Sequence, residues 1–346
     1  MKTIAATYRI ITPMFIGGAE GAEAELRIPS IKGAIRFWWR ALNWQKKCEK
    51  KCCNSKSKNC VCTEDLYKRE VEIFGGSYTN EKEKIATKQS EVLFSFDKKP
   101  IEGDITLLNN NPQYLGYGID NAQGIKAEKI FVLKIQFKVC VTDRKCITDR
   151  QIISVKNAMI AWGLFGGLGK RSRKGFGSVA IQSLIFKGIK QKDIDFVSDN
   201  YKKYKAHINN IIPKLEVFEN TDYPPYSAFS QDSKIFITDI DNLKTDATKV
   251  HKDLEGAYKR YRSGNGQSNN KPERKDFGTP VAFKNDPNDS TSDRRASPIF
   301  LHIHPIKESN SVQYVGVRLY LPAMDIKHPG LIQKFLEDGA IEIKNI

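Results

Sequence analysis

The order strand, helix, strand, strand, helix, strand occurs twice along this 346-residue chain, and a polar, Tyr- and Lys-rich stretch separates the two copies. These observations predict an α+β protein of two tandem ferredoxin-like (RRM-like, βαββαβ) domains with loop insertions. Each domain is expected to be a four-stranded antiparallel sheet with both helices on one face.

In the first copy, Lys2 to Thr12 is rich in β-branched and aromatic residues and stops at Pro13, as a strand does. Ser30 to Trp44 sets Ile31, Ala34, Ile35, Trp38 and Leu42 at helical spacing, with Ser30 as the expected N-cap after Pro29. Glu91 to Asp97 and Lys129 to Val141 read as strands, Asp149 to Phe165 as a helix ending in glycines, and Phe176 to Lys187 as the closing strand. The second copy runs from a strand at Lys234 to Asp239 through a charged helix at Asn242 to Arg262. Two strands follow, Pro298 to Ile306 and Val312 to Leu321, then a short helix from Pro329 to Asp338 and a strand from Ala340 to Lys344. The connection from Lys190 to Ser233 holds the Tyr223-Pro224-Pro225-Tyr226 turn, so the domains are expected at 1–190 and 191–346. Ser263 to Ser297, dominated by Gly, Asn, Ser, Asp and Pro, reads as a long insertion loop.

Between the second helix and the fourth strand, Gly166 to Gly177 carries a cluster of cations on a glycine-rich backbone. Four of the five residues from Lys170 to Lys174 are cationic, and the flanking glycines let backbone N–H groups approach an anion closely. Arg171 and Arg173 add forked donors suited to phosphate oxygens. The spacing excludes a nucleotide-hydrolysing P-loop, which would require glycine at Leu164 and Ser or Thr at Arg171. Across the chain Lys and Arg outnumber Asp and Glu by 56 to 40, a net charge of +16 that suits a polyanionic partner. With no apolar run of membrane-spanning length and no signal-peptide pattern at the start, a soluble cytoplasmic protein is expected.

At 100° per residue the first helix has two unlike faces. Lys32, Arg36, Trp39, Arg40 and Asn43 line up opposite the apolar set, which is expected to leave a cationic stripe around an indole able to contact a phosphate backbone and stack a base. An ordinary amphipathic helix with Trp39 half-buried at a seam is the plainer alternative.

The run Pro29-Ser30-Ile31-Lys32-Gly33-Ala34-Ile35-Arg36-Phe37-Trp38-Trp39-Arg40, the later Glu72-Ile73-Phe74-Gly75-Gly76 and the loop from Gly167 to Gly177 resemble the RAMP superfamily of CRISPR proteins. Within it, the combination is similar to the family of first subunits of the Cmr complex, the type III-B effector. Phe277-Gly278-Thr279-Pro280 and Arg294-Arg295-Ala296-Ser297-Pro298-Ile299 resemble that family's second-domain motifs. The resemblance implies a non-catalytic subunit that contacts guide RNA and target RNA near the guide 3′ end and adjoins other Cmr complex subunits. Lys32, Arg36, Trp39, Arg40, Lys170, Arg171, Arg173, Lys174, Phe176, Arg294 and Arg295 are the RNA-binding residues expected on these grounds. Lys174-Gly175-Phe176-Gly177-Ser178-Val179 also approaches the RNP1 signature of RNA recognition motifs, but it opens the fourth strand, where RNP1 belongs on the third.

Catalytic groups are scarce. Of five histidines, His302 and His304 share one face of a strand by the two-residue period, an arrangement that fits a pair for chemistry or metal but is more often a half-exposed strand face, which is the expectation here. No tight carboxylate constellation marks a two-metal nuclease. The alternative reading is a RAMP-type endoribonuclease that processes guide precursors, and it would call for a histidine near the first helix or the glycine loop, where the sequence has none. No cofactor is required by this reading. Cys48, Cys52, Cys53, Cys60 and Cys62 fall within fifteen residues, a spacing compatible with a structural Zn²⁺, with disulfides or with a reduced loop.

Overall fold

A computed structural model describes residues 2–17, 24–44, 63–79, 85–99, 105–106, 114–119, 123–138, 147–197, 199–211, 223–263, 276–278, 296–308, 310–323, 326 and 329–343. In chain order the elements are β1 (Lys2–Ile10), α1 (Ile28–Asn43), α2 (Thr63–Phe74), β2 (Gly76–Thr79), β3 (Ile85–Lys88), β4 (Val92–Lys98), β5 (Ile105–Thr106), β6 (Gly124–Ile125), β7 (Ile130–Phe137) and α3 (Asp149–Phe165). There follow β8 (Val179–Lys187), β9 (Ile194–Asp195), α4 (Tyr201–Ile211), β10 (Lys234–Thr238), α5 (Ala247–Ser263), β11 (Ile299–Glu308), β12 (Ser311–Tyr320), α6 (Gly330–Glu337) and β13 (Ala340–Glu342).

The fold is α+β with antiparallel sheets. The first sheet runs β4-β7-β1-β8-β9 and the second β11-β12-β10-β13. Residue alternation sets the first sheet's buried face. Ile4, Ala6, Tyr8 and Ile10 of β1 point inward together with Phe131, Leu133, Ile135 and Phe137 of β7, as the two-residue period of a half-buried strand requires. Trp162 of α3 packs on this face, its ring 4.7 Å from Tyr8, whose hydroxyl donates to Met159 O at 3.0 Å. The bounds of α3 follow from its ends. Thr148 and Gln151 form a capping box, and Gly166 closes the C-terminus with its N–H on Trp162 O.

Two expectations change at α1. The helix starts at Ile28 with Pro29 inside its first turn, so Ser30 is a helical residue and not the N-cap. Both faces of the helix are covered, because α2 packs on the side read as a cationic stripe. Arg36 and Arg40 of α1 both bond Glu70 of α2, at 2.5 and 2.7 Å, and Lys32 Nζ donates to Phe74 O at 2.9 Å.

The two halves share one interior. Tyr8, Trp38 and Trp162 belong to the same apolar cluster as Phe229, Phe300 and Val317. Strand β11 ends its sheet, yet six consecutive residues, Ile299 to His304, are buried. Helix α5 covers one side of β11, and α3 and α4 cover the other. Its hydrogen-bonding edge is met by the glycine loop, where Leu301 N–H donates to Arg173 O at 3.0 Å and Lys174 bridges Leu301 in parallel. An exposed strand edge invites unwanted pairing, and here the other half of the chain occupies part of it. Arg318 of β12 crosses to α6 and donates to the carbonyls of Phe335, Leu336 and Asp338, satisfying a helix C-terminus that would otherwise lack partners.

Candidate nucleic-acid interface

The glycine loop is a fixed turn. Lys170 N–H donates to Phe15 O, Gly177 N–H to Pro13 O, and Leu168 N–H to Gly177 O, at 2.7 to 3.0 Å. Gly177 has φ +57°, and a Cβ there would stand 2.1 Å from Leu168 O, so the turn closes only with glycine. Of its cations, Lys170 is exposed, while the other three are held by the protein. Arg171 Nε and Nη2 donate to Tyr117 O at 3.0 and 2.5 Å. Arg173 Nη1 donates to Ser297 O at 2.5 Å and to Ser227 Oγ at 3.2 Å, and its guanidinium stacks 4.4 Å from the Phe300 ring centroid. Lys174 Nζ bonds Tyr258 OH, reaches Ser297 Oγ at 3.0 Å and lies 3.9 Å from the Tyr258 ring centroid. The loop is therefore a brace between the halves as well as a basic surface.

A pocket of about 560 Å³ opens beside it, a size in the usual range for small-ligand sites. Arg171, Arg173 and Lys174 form one wall. Tyr258 and Arg262 of α5 form a second, and Tyr114, Leu115, Tyr117, Ser172, Phe277, Gly278, Ala296 and Ser297 complete it. Among the described residues no carboxylate lines the pocket and none of its four cations is ion-paired. Burial, followed by the Arg262, Arg173 and Arg171 guanidiniums, holds the Lys174 amine well below its usual range. Burial likewise lowers Arg173, to about 10. An anion entering the pocket would relieve this repulsion. A second, smaller cavity of about 280 Å³ lies across Arg173, between Ser30, Phe37 and Trp38 of α1 and the glycines 166, 167 and 169.

The residues expected from sequence divide unevenly. Arg171, Arg173 and Lys174 meet at the pocket. Phe176 does not present its ring. It is fully buried between Phe15 and His251, because the loop folds back over β1's end. Trp39 is only 2% exposed, with its indole N–H on Ser154 Oγ and its ring edge-on to Phe74, so it is not a stacking platform. Lys32, Arg36 and Arg40 are committed to the α1–α2 contact. Arg294 and Arg295 lie outside the described residues, as do Cys48, Cys52, Cys53, Cys60 and Cys62. Among the described residues no group of three or more His, Cys, Asp or Glu side chains is placed to hold a metal. Tyr114, Tyr117, Arg262 and Phe277 were not singled out as site residues, although Tyr114-Leu115-Gly116-Tyr117-Gly118 is an aromatic and glycine pattern of the kind that lines ligand loops.

His302 and His304 are buried at the seam and not half-exposed, because α3 and α4 cover that side of β11. The carbonyl of Gly166 can only accept, so His302 Nδ1 carries the proton in their 2.9 Å contact, leaving Nε2 to accept from His304 Nδ1 at 3.3 Å. His304 stacks on Tyr204 with ring centroids 4.2 Å apart. His251 Nε2 donates to Lys174 O at 2.7 Å. Burial lowers His302 to about 3 and His251 to about 4, and lowers His304 well below its usual value. All three are neutral struts of the seam at pH 7.

The family model of the RAMP superfamily matches residues 7–180, just over half of the chain. The chain belongs to the RAMP superfamily. The matched residues run from β1 through the glycine loop to the start of β8 and so include Arg171, Arg173 and Lys174 of the pocket. No curated protein matches the chain. Among solved structures, this RAMP protein shares its fold with Cmr1 from Pyrococcus furiosus, at 17% identity and TM-score 0.58, covering 99% of each chain. It also matches a chain of the type III-B Cmr-beta complex bound to cognate target RNA, at 13% identity and TM-score 0.55, covering 97% of this chain and 98% of that one. The same complex with target RNA, AMPPnP and ssDNA matches at 14% identity and TM-score 0.55, over 96% and 98%.

Proposed function

We propose that this RAMP protein is a non-catalytic RNA-binding subunit of a type III-B CRISPR RNA-guided effector complex. It contacts guide and target RNA near the guide 3′ end, beside other Cmr subunits, and works in the cytoplasm. The observation that carries the reading is the convergence of Arg171, Arg173, Lys174 and Arg262 on one pocket that no carboxylate lines among the described residues. Unneutralised cations beside aromatic rings suit a phosphate chain with exposed bases. The strand orders β4-β7-β1-β8 and β11-β12-β10-β13 support two ferredoxin-like domains, 1–190 and 191–346, in which the first strand of each lies between the third and the fourth. Among the described residues no helix is long and apolar enough to cross a membrane.

The test is incubation of the isolated chain with labelled guide precursor and with target RNA, with and without Mg²⁺. RNA is expected to be retained and left intact, because the histidines behind the loop are buried and neutral and offer no accessible general base. Specific cleavage would overturn the non-catalytic reading and promote processing of guide precursors in its place.

A further inference from the structure

The pocket has a second chemical character besides charge, and it comes from a segment distant in sequence from the loop. Tyr114 to Ile119 lies on α5, where Leu115 N–H donates to Glu255 Oε1 at 3.0 Å and Leu115 and Ile119 belong to an apolar cluster with Val250, Leu254 and Tyr258. That anchoring leaves the Tyr117 ring at the rim, 73% exposed, the highest exposure of any large apolar or aromatic side chain among the described residues. The backbone beneath this ring is gripped by Arg171, whose fork closes on Tyr117 O. The grip depends on two unusual backbone positions. Arg171 has φ +58°, a left-handed conformation that an L side chain rarely adopts, and Gly118 has φ +81°. A Cβ at Gly118 would come within 3.3 Å of Arg171 Nη2. Such strain is retained where the rest of the structure over-determines it, and here it accompanies the grip of the Arg171 guanidinium on the backbone carbonyl of the exposed Tyr117.

The pocket that Tyr117 lines also carries Arg171, Arg173, Lys174 and Arg262. Arg262 donates to Gly278 O, and Lys174 is held by Tyr258 and Ser297, so these groups are fixed in place, with no acid paired to them among the described residues. The Tyr258 ring is buried and already covered by Lys174, so it is not available to a ligand. An aromatic platform at the mouth and immobilised cations at the base match the two parts of a nucleotide, a flat base and a phosphate. A volume of about 560 Å³ accepts a single nucleotide and excludes a duplex.

We propose that this pocket seats one unpaired nucleotide of a single-stranded RNA, its base on the Tyr117 ring beside Tyr114 and its phosphate on Arg171, Lys174 and Arg262. The assignment rests on the RNA-binding reading above and adds to it a defined subsite. The basic surface around it, including exposed Lys170, gives the flanking phosphates a continuation that a free nucleotide would not use.

The experiment is fluorescence anisotropy of the full chain with labelled mixed-sequence single-stranded RNA, comparing wild type, Tyr117→Ala and Tyr117→Phe, with competition by a nucleoside monophosphate and by inorganic phosphate. Because Tyr117 is exposed, both variants should melt as the wild type does. Tyr117→Ala is expected to weaken binding by about tenfold or more, and Tyr117→Phe to keep wild-type affinity, since stacking needs the ring and not the hydroxyl. Wild-type affinity in Tyr117→Ala, with RNA still bound, would overturn the subsite while leaving the RNA-binding reading intact. Loss of affinity in both variants alike would overturn stacking on the ring. A monophosphate that competes as well as the strand does would assign the pocket to a free nucleotide instead. Failure of the wild-type chain to bind any RNA would remove the RNA-binding reading, and the subsite with it.

Discussion

Trp38→Ala is expected to lower the folding stability by about 3–5 kcal/mol, the range for truncating a buried large aromatic side chain. The size follows from position. Trp38 is almost fully buried and its ring meets Phe37, Phe165, Phe229 and Phe300 at centroid distances of 5.4 to 6.1 Å. Phe165 comes from the end of α3, whereas Phe229 and Phe300 come from the second half, so the cavity would open at the seam. Urea or thermal unfolding checks this, and the single transition should also broaden or split if the halves uncouple. A variant as stable as the wild type would mean that the seam is held elsewhere.

Mild acid is the second large perturbation. The folded-state values of His302 and His251, about 3 and about 4, lie below the ordinary 6.5 of an exposed imidazole, and His304 is shifted in the same direction. Between those values the unfolded chain binds protons that the folded chain does not, so stability falls as pH falls. The loss begins near pH 6.5 and amounts to about 1 kcal/mol per histidine for each pH unit below it, until the folded-state value is reached. His302 faces Gly166 O and His304, His304 also faces His207 and Tyr204, and His251 faces Lys174 O and the Phe176 ring. None of these contacts holds a carboxylate that would favour the imidazolium. Melting temperature measured from pH 7.5 to 5 should fall steadily below about 6.5. A flat profile across that window would show that these histidines are not neutral in the folded state.

Periodicity made most of the fold legible. Asp149 to Phe165 was bounded correctly as a helix because its ends carry local signals, a Thr and Gln capping box and a terminal glycine. The strands β1, β4, β7 and β10 to β13 were found within a few residues because one face of each is apolar. Helix α2 was missed, and that omission produced the misreading of α1. Glu70, buried in the middle of α2, interrupts its apolar stripe, so the helix hides both its own pattern and its role as the cover over Arg36, Trp39 and Arg40. Similarly, His302 and His304 follow the two-residue period of a half-exposed strand, and only the packing of α3 and α4 against β11 buries them. The loop cations were visible as a run, but their partners were not. Tyr117, Arg262 and Phe277 reach Arg171 to Lys174 from well over a dozen residues away in sequence, and no local spacing encodes that meeting.

The proposed function requires that the fixed cations beside the glycine loop bind RNA through its phosphates. The most direct measurement is the dependence of RNA affinity on salt for the wild type and for Arg171→Ala/Arg262→Ala. Each phosphate contact on a single strand contributes a slope of about −0.7 in log K against log salt, so losing two should flatten the slope by about 1.4 and weaken binding at low salt. Wild-type affinity that is indifferent to salt, or a double variant with an unchanged slope, would contradict the claim.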